Sequence, residues 1–289
     1  MTSPAHLQQL ITAVERHDLA AVKAALSAHR YWPSQLNTAL DVAAVNRHPA
    51  VAEQILGCPD AQHGDDAPLD ATGALLGAIR AGDEAMVQAL LPHCRHLGTQ
   101  GGTLLTRALD EGHEALFETL FAAGARPTGP GPLRTALEQS RWALAERLVP
   151  LTPDLPTFLD AVAMAADGGP ATLVAALLAA GAPLRADGQA LRWAADKVPS
   201  ANRTAVLACL VAQASTTVLD AALEPMLRSG WEEYAQARQA LALAVPEEVF
   251  DRWVATHGPA PFGPALAERR LQAMHAQRSP TETKRRYRA

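Results

Sequence analysis

The sequence has little cysteine, lysine or aromatic side chain, and each shortage excludes something. Cys58, Cys94 and Cys209 are an odd number at wide intervals, which suits reduced thiols and excludes a disulfide framework. Lys23, Lys197 and Lys284 are the only lysines, and the formal net charge is −5, so the chain is not a protein coated in basic nucleic-acid surface. Aromatics make up only 4% of the residues. The longest uncharged run, Gly168 to Leu184, is 17 residues, just short of the roughly 18 a membrane helix needs, and no basic stretch followed by an apolar core opens the chain. These features lead to the expectation of a soluble, cytoplasmic protein without a cleaved signal. Short catalytic signatures are missing as well: there is no Gly-rich phosphate loop, no G-x-S-x-G, no H-E-x-x-H and no Cys-x-x-Cys.

Alanine is abundant, at 61 of 289 residues, and 48% of the chain is hydrophobic. Alanine favours helix and is depleted in strands, so the composition predicts an all-α fold. The alanine excess and the preference for arginine over lysine suggest a GC-rich, bacterial coding sequence.

One pattern recurs with a period near thirty: a leucine-like residue, a small apolar pair three and four positions on, a turn, then two further apolar pairs. Its clearest copy is Leu105, Ala108, Leu109, Gly112, Leu116, Phe117, Leu120, Phe121, Gly124 and Ala125. Other copies start at Leu10, Leu40, Leu75 and Leu133, include Ala165-Ala166 with Leu173 to Ala182, and end with Leu191 to Val211. Apolar residues spaced by three and four give each helix of a pair one stripe to bury, and the small pair lets the first helix approach its neighbours closely. A single pair cannot bury both sides, so the pattern predicts a stack. Glycine at the turn, as in Gly82 and Gly112, supplies a left-handed residue that ends the first helix; Gly124 and Gly181 do the same for the second.

These copies resemble the ankyrin-repeat family over residues 7 to 212, most clearly in Leu105 to Ala125 and Leu177 to Ala182, although none carries the family's Thr-Pro-Leu-His entry. A HEAT-type solenoid would need a longer period of about 40–47 residues. The expected fold is an all-α, ankyrin-like solenoid of 7–8 helix pairs over residues 1–245. Capping helices over 246–278 follow, with Val249, Phe250 and Trp253 on a sealing face, and then a disordered basic tail over 279–289 containing Lys284, Arg285, Arg286 and Arg288. Around Ser229-Gly230, residues 218–243 read as a degenerate eighth pair.

Candidate sites are few. His93, Cys94 and His96, with Cys58, His63 or His113, are the best metal-ligating group, but they lack known zinc spacings, so neither metal nor cofactor is expected. The carboxylate pairs Asp65-Asp66, Asp110-Glu111 and Glu232-Glu233 read as solvated surface, because adjacent helical residues do not face each other. Trp193 is either an exposed aromatic anchor for a partner or a partly buried packing residue. The tail reads as solvated rather than nucleic-acid binding, since no aromatic platform accompanies its charges.

The resemblance implies a non-catalytic module that binds another protein through its concave face, and that the two positions after each small pair point toward the groove. In this chain those positions carry six acids, Glu15, Asp110, Glu111, Glu138, Asp167 and Asp196, against Arg16, Arg80 and Lys197. The expected partner-binding set is therefore Arg80, Arg107, Asp110, Glu111, Glu138, Gln139, Asp167, Trp193 and Asp196, and the expected partner is a protein with a basic surface. No membrane contact and no small-molecule substrate are expected. Versions of this role include an immunity protein that neutralises a toxin, an adaptor, and an effector acting on a host target. The contrasting class is an enzyme with an unrecognised site around His93 and His96 or beyond Pro246.

Overall fold

The computed structural model describes residues 3–59, 69–196, 200–228 and 234–282, the last of these without side chains beyond residue 275. His63, Asp65, Asp66, Lys197, Ser229, Gly230, Glu232, Glu233 and the four basic tail residues, all singled out above, lie outside that set. The described residues are helical, with no strand among them. The fold class is thus all-α, built from successive helix pairs. Contacts divide the chain into two compact units: Met1–Ala136 with Leu151–Pro153, and Leu137–Pro150 with Asp154–Ala289.

In the first unit the helices are α1 (Pro4–Glu15), α2 (Leu19–Ala28), α3 (Pro33–Val45), α4 (Pro49–Leu56), α5 (Thr72–Ala81), α6 (Glu84–Leu90), α7 (Leu97–Asp110) and α8 (Glu114–Ala122); α9 (Gly131–Glu138) begins there. Each odd-numbered helix packs on its partner in the pair. First helices stack in the order α1, α3, α5, α7 and second helices in the order α2, α4, α6. The periodic residues fill the seam: Leu10, Leu40, Ala43, Ala44, Leu75, Ala78, Ile79, Leu105, Ala108, Phe117 and Leu120 are all fully buried. Alanine at Ala43, Ala78 and Ala108 keeps neighbouring first helices close.

The small pair does a second job at the turn. Asp18 N–H donates to Ala13 O at 3.0 Å, His48 to Ala43 O at 2.9 Å, Asp83 to Ala78 O at 3.1 Å and His113 to Ala108 O at 2.8 Å. These six-to-one bonds, with the inner bonds from His17, Arg47, Gly82 and Gly112, are Schellman caps that satisfy the last helical carbonyls. Each needs one left-handed residue. Glycine supplies it at Gly82 and Gly112, as expected, but His17 (φ 55°), Arg47 (φ 58°) and Ser140 (φ 56°) adopt the same conformation at their own first-helix ends. The repeat geometry therefore imposes the conformation where the residue type disfavours it. Side-chain caps then start the second helices: Asp18 accepts from Ala21 N–H at 2.9 Å and Asp83 from Met86 N–H at 3.0 Å.

A left-handed L-residue costs about 1–2 kcal/mol, of which glycine's extra unfolded-state freedom returns part. Ser140→Gly is therefore expected to stabilise the protein by about 0.5–1 kcal/mol. A urea midpoint at or below the wild-type value would count against the imposed-strain account.

The second unit holds the rest of α9 and then α10 (Trp142–Leu148), α11 (Ala161–Gly168), α12 (Ala171–Ala179), α13 (Gln189–Asp196), α14 (Ala201–Gln213), α15 (Thr216–Arg228), α16 (Ala235–Ala244), α17 (Glu247–His257) and α18 (Gly263–Glu282). The alternation continues through α10, α12 and α14 on one side and α11 and α13 on the other. It changes at α16, which packs on both α13 and α14, while α15 lies against α13 and α16. The last helix continues through Ser279–Glu282, where the sequence reading began the tail.

Near the end of this unit Phe262 meets Phe250 edge-on (5.8 Å) and Trp253 in a stack (6.4 Å). Val249, Phe250 and Trp253 are all buried, as their shared helical face suggests. Three polar groups hold this cluster in place. Asp220 accepts the Trp253 indole N–H at 2.7 Å and pairs with Arg252 at 2.6 Å. The Arg269 guanidinium covers Phe250 at 4.4 Å and donates to Ala242 O at 2.7 Å, closing the end of α16. Arg238, only 6% exposed, donates to Pro261 O at 3.0 Å and Met226 O at 3.1 Å, and burial pushes its pKa down.

Candidate functional site

The candidate partner-binding residues sit where the first helices end. In the first unit Arg80 is in the last turn of α5, Arg107 and Asp110 are in the last turn of α7, and Glu111 is its C-cap. In the second unit Glu138 is the last residue of α9, Gln139 follows it, Asp167 is in the last turn of α11, and Trp193 and Asp196 are on α13. All are exposed except Arg107, which is half-buried; Trp193 is 36% exposed, at the threshold between its two readings.

These placements have an electrostatic consequence. The carbonyl end of a helix carries a partial negative charge, so an acid there is destabilising, by about 0.3–1 kcal/mol when exposed. Asp110, Glu138, Asp167 and Asp196 all occupy that unfavourable end. Local compensation is partial. Glu111 pairs with Arg107 at 3.5 Å, and Asp110 accepts the hydroxyl of buried Thr135 at 3.1 Å. Arg203 donates to the carbonyls of Ala166 and Asp167, capping α11 from α14. Neither Thr135 nor Arg203 stood out in the sequence, since each acts across a repeat, over separations of 25 and 36–37 residues.

The structure gives Cys94 and His96 contacts of their own. The Cys94 thiol donates to Leu90 O at 3.2 Å, and burial, reinforced by the nearby Asp70 charge, pushes its pKa up to about 12. His96 instead lies 3.5 Å from Asp70, and no cluster of three metal-ligating side chains occurs among the described residues.

Asp70 is a structural bracket that the sequence reading passed over. Its Oδ1 accepts the Thr72 hydroxyl at 2.5 Å, Thr72 N–H at 3.2 Å and Arg95 N–H at 3.3 Å, tying the start of α5 to the loop 25 residues on. Burial alone would raise its pKa, but these bonds and the His96 ring outweigh it and hold the carboxyl below its ordinary value. A lowered carboxylate pKa contributes stability above its unfolded value, near 3.8, and that contribution is lost as pH falls through the folded value. Asp70→Asn is therefore expected to lower the urea midpoint at pH 7 and to change it little at pH 2, a convergence that equilibrium melts at the two pH values check. Asp160 and Arg185, paired at 2.6 Å, repeat the same 25-residue link in the second unit.

No helix among the described residues is long and apolar enough to cross a membrane. No family model and no curated protein matches the sequence. Among solved structures the chain is similar to the crystal structure of the human ASB11 ankyrin repeat domain, with 22% identity, a TM-score of 0.44, and coverage of 72% of this chain and 98% of that one.

Proposed function

We propose that the chain is a non-catalytic module that binds another protein, and that the partner presents a basic surface, as in a toxin-neutralising immunity protein or an adaptor. The observation that carries this reading is the set of exposed acids at the carbonyl ends of Glu138's, Asp167's and Asp196's helices in the second unit, joined by the partly exposed Trp193 on the same helix as Asp196. Acids in those positions do not help the helices that carry them, which is what a surface shaped for recognition would show. Such charges steer an oppositely charged partner and raise its association rate at low salt. An exposed aromatic beside them suits an anchor.

The test uses a triple reversal, Glu138→Lys, Asp167→Lys and Asp196→Lys. The melting temperature is expected to stay level or rise, because lysine suits a helix C-terminus. Association with a partner captured by the wild-type chain is expected to slow by about tenfold at low salt and to converge with wild type as salt screens the charges. Equal association rates across the salt series would retire the reading.

A further inference from the structure

In the first unit, α7 and the loop that leads into α9 border an open, shallow cleft of about 300 Å³. One wall includes Thr106, Arg107 and Asp110 of α7, and the other includes Thr128 and Gly129 of the loop and Pro132 in the first turn of α9. The walls are held by close packing. A Cβ on Gly131 would lie 2.8 Å from Thr106 Oγ1, and one on Gly102 would lie 2.8 Å from Thr128 N, so glycine at both places lets the loop close onto the helix. The loop sequence Thr-Gly-Pro-Gly-Pro, from 128 to 132, adds rigidity through its prolines. This is a preformed cleft at the small end of the range for ligand sites, with room for one side chain rather than a cofactor.

Its charge is also set. Arg107, on the cleft wall, pairs with Glu111 at 3.5 Å, and Asp110 accepts a neutral hydroxyl from Thr135 at 3.1 Å, so these three ionic side chains sum to one negative charge. That charge lies on the Asp110 side of a cleft whose other wall, Thr128, Gly129 and Pro132, carries none. We infer that this cleft receives a single arginine or lysine side chain of the protein partner, its cationic head on Asp110 and its methylene stem along the Gly129–Pro132 wall. The inference rests on the protein-binding reading above and adds a residue-level point of recognition to it.

The test needs no partner. Amide chemical shifts of the full chain are followed as N-acetyl-argininamide is added, with N-acetyl-lysinamide and the neutral N-acetyl-citrullinamide as comparisons. Saturating shifts confined to residues 102–110 and 128–132 are expected for the two cations and not for citrulline. Asp110→Asn, which keeps an acceptor for Thr135, is expected to weaken the effect by about two- to five-fold, the range of an exposed ion pair. Gly129→Leu is expected to abolish it, since a Cβ there meets nothing within 4 Å and its side chain adds bulk at the cleft without a clash. Equal response to citrulline, shifts spread over the acids of both units, or unchanged binding by both variants would overturn the inference. Loss of the cleft result with a charge-dependent partner association would leave the protein-binding reading standing. The converse result would remove that reading and keep the cleft.

Discussion

Leu105→Asp is expected to abolish the native state of the first unit at 25 °C. Leu105 is fully buried on α7, in the stack of first helices. Truncating such a leucine costs about 2–5 kcal/mol through lost transfer energy and the cavity left behind. A carboxylate adds the cost of an unpaired charge in an apolar seam, so the total exceeds about 5 kcal/mol and approaches the whole stability of a domain. The consequence spreads, because each repeat is held only by its neighbours. Leu271→Asp is the matched control, as Leu271 is 51% exposed on α18, and its melting temperature is expected to stay near wild type. Circular dichroism melts check both. A cooperative wild-type transition in Leu105→Asp would mean that α7 is not in the shared core.

Gly188→Ala is expected to cost about 2–5 kcal/mol, summing left-handed strain of about 1–2 and overpacking of about 1–3. Gly188 has φ 67° just before α13, and a Cβ there would lie 2.6 Å from Ala222 N and 2.7 Å from Ala222 Cα. Those are backbone atoms of α15, which can yield only by shifting the helix. Gly112→Ala separates the two causes: its φ of 78° brings the same strain, but nothing lies within 4 Å of its Cβ, so only about 1–2 kcal/mol is expected. Urea midpoints of the two variants measure the difference. Equal losses would show that the close approach of α15 to Gly188 carries no energy.

Several parts of this structure were legible before any coordinates. The small pairs Ala43-Ala44, Ala78-Ile79 and Ala108-Leu109 are buried where the repeat put them, and so are Phe250 and Trp253 at the end. Burial of this kind is written locally: a residue three or four positions from another apolar residue shares its helical face, whatever the rest of the chain does. Arg80, Asp110, Glu111, Glu138, Gln139, Asp167 and Asp196 follow their small pairs and are exposed, whereas Arg107 is half-buried; Gly82 and Gly112 marked two of the helix ends, but the ends near Glu138, Asp167 and Asp196 had no such left-handed glycine. The surroundings of Cys94 were not legible either, because they come from Leu90 and Asp70 rather than from its sequence neighbours His93 and His96.

By itself the sequence determined the helical class, the thirty-residue pairing and which faces are buried, since all three follow from residue spacing within one or two turns. Only the tertiary structure decided the rest. It placed His17, Arg47 and Ser140 in left-handed turns, brought Ala222 against Gly188, and set Arg203, Arg238 and Arg269 on carbonyls of other segments. It also moved α16 onto both α13 and α14, where the regular alternation stops. Each of these joins residues a dozen or more positions apart, or overrides a local preference by the packing of a neighbouring repeat. No periodicity within a single helix records such contacts, because they exist only once the helices have stacked.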